Sequence, residues 1–244
     1  MTDFARIYAK QEYLNPGAAE TVELIAGTVS PGRSALLLEI ASGKGEAACT
    51  LAGRFACRVL AVDLYDPFIR DAAAKARHRN LRDLVVVLRA DGNHLPVADA
   101  VCDAAYCIGG PSIVGLKSCL SELARAVRPG GRVIVSDIVW RRKPDGPLGP
   151  GWGRVAEIDP RLSRDEYAAA VEAAGLRVER VYTHERSTWD EYQRPTADVA
   201  REARASGDPD DLALAEEIEE QIAIERRAAD AFLDCATFLA RKPD

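Results

Sequence analysis

No stretch of this chain approaches the ~20 consecutive apolar residues that a bilayer-spanning helix needs, so the sequence does not read as a membrane protein. Residues 1–6 lack a basic region followed by an apolar one, so no secretory leader is expected and the expected setting is the cytoplasm. Basic charge is not in surplus either. Lys and Arg number 32 against 38 Asp and Glu, a formal net charge of −6, which argues against nucleic acid or an anionic membrane as partner. There are six cysteines but no C-x-x-C pair and no metal-ligand spacing, so no metal site is expected. Cys49, Cys57, Cys102, Cys107, Cys119 and Cys235 read as reduced, mostly buried thiols. No internal repeat is visible.

What is present suits one α/β domain: 244 residues, 48% of them hydrophobic. Short apolar runs at 34–40, 58–62, 84–89, 103–108 and 132–137 read as strands. Helical patterns at 45–55, 67–79 and 117–127 lie between them. This alternation predicts a doubly wound, mostly parallel sheet with helices on both faces. Arg128-Pro-Gly-Gly131 reads as a turn, and 141–153 as a Pro- and Gly-rich loop. Ser163 and Glu166 predict a capping box opening a helix over 164–174, and 176–183 predicts a sixth strand. A long polar, irregular segment, 185–211, then leads into a helical pattern to residue 232, and 235–240 predicts the last strand.

Chemistry concentrates where strands end. Leu36-Leu-Leu-Glu39-Ile-Ala-Ser-Gly43-Lys-Gly45-Glu-Ala-Ala48 runs from an apolar strand through an acid and a glycine-rich turn into an alanine-rich helix. That is the layout of a nucleotide site: glycines let backbone approach a ligand, and the helix offers a partly positive N-terminus. The same turn fits G-x-G-x-x-G/A, so a nicotinamide-dependent oxidoreductase stays open, as does a non-catalytic cofactor-binding protein. No Tyr-x-x-x-Lys pair accompanies the oxidoreductase reading. In either enzyme an acid closing the second strand binds a ribose, because a carboxylate accepts two hydrogen bonds from a vicinal diol. Asp63 stands at that position, and Asp91-Gly92-Asn93 closes the third strand.

Taken in order, the 39–45 turn, Asp63, Asp91 and Leu120-x-x-Leu-Ala-Arg-Ala-Val-Arg-Pro129-Gly-Gly-Arg-Val-Ile-Val-Ser-Asp137 resemble the class I S-adenosylmethionine-dependent methyltransferases. The resemblance covers roughly residues 30–140. It implies a seven-stranded sheet of order 3-2-1-4-5-7-6 with strand 7 antiparallel, and S-adenosyl-L-methionine as cofactor. It implies that Glu39, Ala41, Gly43 and Gly45 frame the methionine end. Asp63 would hold the ribose, Asp91 with Gly92 the adenine amino group, and Leu64 and Asn93 would flank the adenine. Cys107 and Ile108 would lie beneath the sulfonium. The family usually has glycine at the position of Ala41, so a φ that alanine accepts is expected there. Lys44 reads either as an exposed lysine at the helix entry or as a partner for the cofactor's carboxylate.

Asn15-Pro-Gly17 and Ser187-Thr-Trp189-Asp-Glu-Tyr192-Gln-Arg-Pro195 resemble a small-molecule subgroup of ubiquinone-biosynthesis type. The division this implies is one domain over 1–244. It comprises a cap segment at 1–30, a core at 31–184, a helical insertion or lid at 185–232 between strands 6 and 7, and a last strand at 233–241. The partner would be a small-molecule acceptor. Tyr13, Trp140, Trp189 and Tyr192, with Tyr8 and Trp152, are candidate lid aromatics that would hold a flat or cationic ligand. His94, just after the third strand, is the candidate general base. His184 would reach the site only if the insertion folds back.

Overall fold

The computed structural model describes residues 4–146, 148–152, 155 and 162–244. A short helix, α1 (Phe4–Ile7), and a longer one, α2 (Ala18–Val29), precede the sheet. Then follow β1 (Leu36–Ile40), α3 (Glu46–Phe55), β2 (Arg58–Asp63), α4 (Asp66–His78), β3 (Val85–Arg89), β4 (Cys102–Ile108), α5 (Pro111–Val114), α6 (Leu116–Ala126) and β5 (Val127–Trp140). The chain continues through α7 (Arg164–Ala173), β6 (Arg177–Thr183), α8 (Ser187–Ser206), α9 (Pro209–Ala231) and β7 (Leu233–Arg241). The sheet order is β3-β2-β1-β4-β5-β7-β6. β7 runs antiparallel to both neighbours. The expected fold class, including the helices inserted between β6 and β7, is what the chain adopts.

Side-chain alternation explains how one sheet serves two cores. From β1, Leu38 and Ile40 enter a cluster with Cys107, Leu120, Leu123 and Phe238 on one face. Leu37 enters a cluster with Ile25, Leu51, Val59 and Tyr106 on the other. Both faces of the central strands are covered, which is why β1 reads as a near-continuous apolar run. All six cysteines are buried and unpaired. Among the described residues no helix is long and apolar enough to cross a membrane.

Two expectations change. The segment read as polar and irregular is the 20-residue helix α8. Its buried face is carried by Trp189, Gln193, Thr196, Ala200 and Ala203, residues mostly small or polar, so the helical period is present but faint in hydrophobicity. Pro195 lies inside this helix, a second reason the sequence looks broken there. The Arg128-Pro-Gly-Gly131 turn is absorbed into β5. Gly130 N–H donates to the Lys242 carbonyl and Lys242 N–H to the Gly131 carbonyl, both at 2.9 Å, so pairing continues through the Pro-Gly signal. The capping box forms: Ser163 Oγ accepts from Glu166 N–H at 3.4 Å, and Glu166 Oε2 accepts from Ser163 N–H at 2.8 Å. Of the loop read over 141–153, residues 147 and 153 lie outside the described residues, as do residues 1–3 of the N-terminal reading.

The insertion is seated by two apolar clusters. Trp140, Val155, Trp189, Ala228, Ala229 and Leu233 fasten it to the ends of β5 and β7. Ile7, Ala200, Ala203, Leu214, Ala215 and Ile218 fasten α1 to it.

Candidate functional site

The carboxyl ends of the parallel strands carry the site, as sheet topology requires where helices leave in opposite directions. The order β3-β2-β1-β4 sets the Asp91 loop, Asp63, the glycine-rich turn and the β4 exit side by side. Three strand intervals of ~4.8 Å make this row about 14 Å long, room for an extended ligand built of a base, a sugar and an amino acid.

In the turn between β1 and α3, Ser42 N–H donates to the Val62 carbonyl at 2.9 Å and Gly45 N–H to the Ser42 carbonyl at 3.0 Å. Gly43 N–H donates to Asp63 Oδ2 at 2.7 Å, and Tyr65 N–H to Asp63 Oδ1 at 2.9 Å. The Asp63 carboxylate is therefore pinned by two amides, and each oxygen keeps a lone pair for a ligand. Gly45 has φ of 72°, and a Cβ there would stand 2.7 Å from Ala72 Cβ, so glycine alone lets the turn rest on α4.

Ala41 corrects an expectation. Its φ is 54°, the left-handed value glycine would adopt freely, and not one that suits alanine. The β4 exit makes room for its methyl: a Cβ on Gly110 would fall 2.4 Å from Ala41 Cβ and 2.9 Å from Cys107 Sγ. The missing side chain at Gly110 thus complements the extra one at Ala41.

Glu39 is buried behind the turn. It accepts from the Tyr106 hydroxyl at 3.3 Å. Burial lifts its pKa to about 8, against the Tyr106 hydrogen bond; the Asp63 charge adds to the rise and a bond from Ala48 N–H opposes it. At neutral pH Glu39 is mainly a protonated acid. Asp91 is the opposite case. It is exposed, and hydrogen bonds from Asn93 hold its carboxyl below the usual range. Its Oδ1 accepts from Asn93 N and Nδ2, both at 2.9 Å. Gly92 packs under Ile40 and Val114, which draws α5 against this loop. Leu64, just after β2, and Ile113, in α5, are among the most exposed large apolar side chains described.

At the β4 exit, Cys107 and Ile108 end the strand facing opposite cores. Cys107 is a packing residue: burial and the neighbouring Cys119 thiol push its pKa up, away from a reactive thiolate. The loop beyond it is anchored by buried Asp137, which accepts from Ser112 N–H at 3.0 Å, Ser112 Oγ at 2.6 Å and the Tyr167 hydroxyl at 3.3 Å. Asn15 packs on Gly109 from the N-terminal segment. A cavity of about 230 Å³ lies between that segment and α8, bordered by Tyr13, Asn15, Gly17, Glu20, Thr188 and Tyr192. A larger groove of about 1140 Å³ is lined wholly by α8 and α9 and touches none of the strand ends.

The candidate aromatics divide. Tyr13 and Tyr192 border the smaller cavity. Trp140 and Trp189 do not: both are buried in the cluster that seats the insertion, and they are corrected to core residues. Trp152 packs on Phe232 with the Arg227 guanidinium over its ring. His94 is exposed on the Asp91 loop and does not border this cavity. His184 is held by Thr237 at 2.8 Å and lies under Gly17, a packing role. Lys44 is not free for a ligand carboxylate, because its ammonium is engaged by three backbone carbonyls. Sequence reasoning missed Ser42 and Ser112, whose small polar side chains carry no signal outside their loops, and gave Asn15 only within the subgroup resemblance.

The residues fit the cofactor that the sequence implies. Ser42 Oγ is buried without a hydrogen-bond partner among the described residues, inside the turn itself. Such an orphan costs about 1–3 kcal/mol, which a bound polar ligand would recover. Each Asp63 oxygen keeps a lone pair beside the same turn, and Leu64, next to it in the chain, is exposed.

This architecture and this row of residues define a class I methyltransferase fold. A family profile described as a methyltransferase domain matches residues 38–135. An O-methyltransferase of Penicillium expansum is 27% identical over 178 residues, 67% of this chain and 63% of that protein. The 27-O-demethylrifamycin SV methyltransferase of Amycolatopsis mediterranei is 27% identical over 184 residues, 72% of this chain and 67% of that protein. An S-adenosylmethionine-dependent methyltransferase of Thiobacillus denitrificans, solved with S-adenosyl-L-homocysteine, superimposes with a TM-score of 0.77 at 23% identity, covering 97% of this chain and 96% of that one. Over residues 38–135 and in its fold the chain is similar to the class I S-adenosylmethionine-dependent methyltransferases.

Proposed function

We propose that this protein transfers a methyl group from S-adenosylmethionine to an oxygen of a small-molecule acceptor held between the N-terminal segment and α8. The observation that carries the reading is the Asp63 carboxylate, pinned by Gly43 and Tyr65 amides with its free lone pairs at the mouth of the glycine-rich turn. Asp63 would hold the ribose hydroxyls and the free Asp91 oxygen the adenine amino group, with Leu64, Ile113 and Asn93 flanking the ring. Ser42 and the turn amides would meet the methionine end, while Cys107 and Ile108 form its floor.

When bound, the cofactor supplies a methyl group on a good leaving group, open to in-line displacement. The protein's share is alignment and exclusion of water, and alignment alone supplies about 7–11 kcal/mol. Tyr13 and Tyr192 would hold the acceptor, and Asn15, packed on Gly109, sets the separation between acceptor and β4 exit. Trp140 and Trp189 serve indirectly by fixing the insertion that roofs the cavity. The names of the fungal and Amycolatopsis relatives, both O-methyl transfer, support an oxygen acceptor. The six buried thiols suit the reducing cytoplasm.

Incubation with S-adenosylmethionine labelled in its methyl group, across a panel of phenols, aliphatic alcohols, amines and carboxylates, tests the reading. Label is expected in a hydroxylated acceptor. Label only in amines would shift the acceptor atom to nitrogen, and binding of S-adenosylhomocysteine without transfer to any acceptor would favour a non-catalytic role.

A further inference from the structure

Lys44 occupies the place between the two glycines of the turn, and the functional reading gives it nothing to do. Its ammonium has three N–H bonds. They point at three carbonyl oxygens of one segment: Tyr8 at 2.9 Å, Ala9 at 2.9 Å and Gln11 at 3.1 Å. The side chain is half-buried, and its loss of water lowers its pKa; Asp71 and Glu12 oppose that fall and Lys75 adds to it. An ammonium drawn out of water to face three backbone carbonyls has a structural task.

That task is visible in what the segment does next. Directly after Gln11, Glu12 pairs with Lys75, which also pairs with Glu46 at 2.8 Å. Tyr13 packs against the core cluster that α3 enters. Leu14 lies over the turn so closely that a Cβ on Gly43 would stand 3.1 Å from its Cδ1. Asn15 covers Gly109 in the same way at the β4 exit. The far side of the segment is tied to the insertion: Gln11 Nε2 donates to the Tyr192 carbonyl at 2.8 Å, and Thr196 Oγ1 donates to Gln11 Oε1 at 2.8 Å. Residues 8–15 thus form a wall over Gly43 and Gly109, running from the turn to the acceptor-side cavity.

We propose that Lys44 is a positioning residue: it clasps residues 8–11 onto the glycine-rich turn, so that Leu14 and Asn15 close the methionine end of the cofactor site. The inference rests on the cofactor reading above. Because the clasp grows from the turn itself, docking of the segment and retention of the ligand are coupled. A lysine that only added stability would not link the two.

The test uses the full chain, S-adenosylhomocysteine as probe, and the variants Lys44→Met, which keeps the stem without charge or donors, and Lys44→Arg, which keeps both. Lys44→Gln replaces the first if it does not fold. Amide exchange over residues 8–15 in the unliganded protein should rise about tenfold in Lys44→Met, a loss of local protection while the sheet is unchanged. S-adenosylhomocysteine should dissociate about tenfold faster, with its association rate nearly constant. Lys44→Arg should restore much of both. Asp91→Ala should weaken binding and leave exchange over 8–15 as in the wild type. Unchanged exchange in Lys44→Met, or raised exchange with an unchanged dissociation rate, overturns the inference while the cofactor reading stands. No binding by the wild-type chain removes the cofactor reading, and the inference with it.

Discussion

Replacing Asp63 perturbs two things at once, and the structure separates them. The carboxylate accepts from Gly43 N–H at 2.7 Å and from Tyr65 N–H at 2.9 Å. Asp63→Ala orphans both amides. Hydrogen bonds to a charged group contribute about 1.5–3 kcal/mol each when shielded, and Asp63 is only half-buried, so a combined stability loss of about 2–3 kcal/mol is expected. Loss of the ribose contact should weaken S-adenosylhomocysteine by a further ~1.5–3 kcal/mol, roughly tenfold to a hundredfold in Kd. Asp63→Asn keeps one acceptor oxygen but no charge. It should lose about 1 kcal/mol of stability and about tenfold in affinity. Urea unfolding gives the first quantity and calorimetric titration at a temperature where each variant is folded gives the second. An Asp63→Ala protein with wild-type affinity would place the ribose elsewhere. One with wild-type stability would mean that the two amide bonds carry nothing, and the reasoning about the turn would fail.

Three further outcomes follow from the same geometry. Gly110→Ala should destabilise by roughly 1–3 kcal/mol, because its Cβ meets Ala41 Cβ at 2.4 Å, and Ala41→Gly in the same chain should return part of that loss; purely additive unfolding energies would deny the contact. Glu39, raised from 4.5 to about 8 in the fold, contributes stability that is complete below pH 4.5 and disappears as pH rises through about 8. Glu39→Gln, neutral at every pH, should flatten the fall in unfolding free energy between those limits; an unchanged profile would mean that Glu39 is ionised in the native state. Trp189→Ala should cost about 3–5 kcal/mol of stability as a buried aromatic, whereas Tyr192→Ala should chiefly lower kcat/KM once an acceptor is found; the reverse pattern would exchange their roles.

The parallel core was legible because its signals are local and strong. Each of β1 to β4 is a short apolar run, and the acids Asp63 and Asp91 stand where those runs end. The antiparallel last strand and the strand order came from resemblance, since no local pattern states which strand pairs with which. α8 was hidden because helices packed through Ala and Thr show little hydrophobic contrast, and Pro195 reads as a break. The left-handed φ of Ala41 was hidden too, because the room for its methyl is made 69 positions away, at Gly110. Trp189 misled for a general reason: an aromatic in a polar stretch suggests a ligand, but here it is the apolar pin that seats a polar helix. Lys44 could not be read at all from its neighbours, since its partners lie in residues 8–11.

On the reading proposed above, the row from Asp91 to the glycine-rich turn binds S-adenosylmethionine and its product, and not a nicotinamide dinucleotide. Calorimetric titration of the wild-type chain with S-adenosylhomocysteine, and in parallel with NAD, tests it directly. Saturable one-to-one binding of S-adenosylhomocysteine, lost or weakened in Asp63→Asn, is expected, with no heat from NAD. Comparable or tighter binding of NAD, or no binding of S-adenosylhomocysteine by the folded protein, would contradict it.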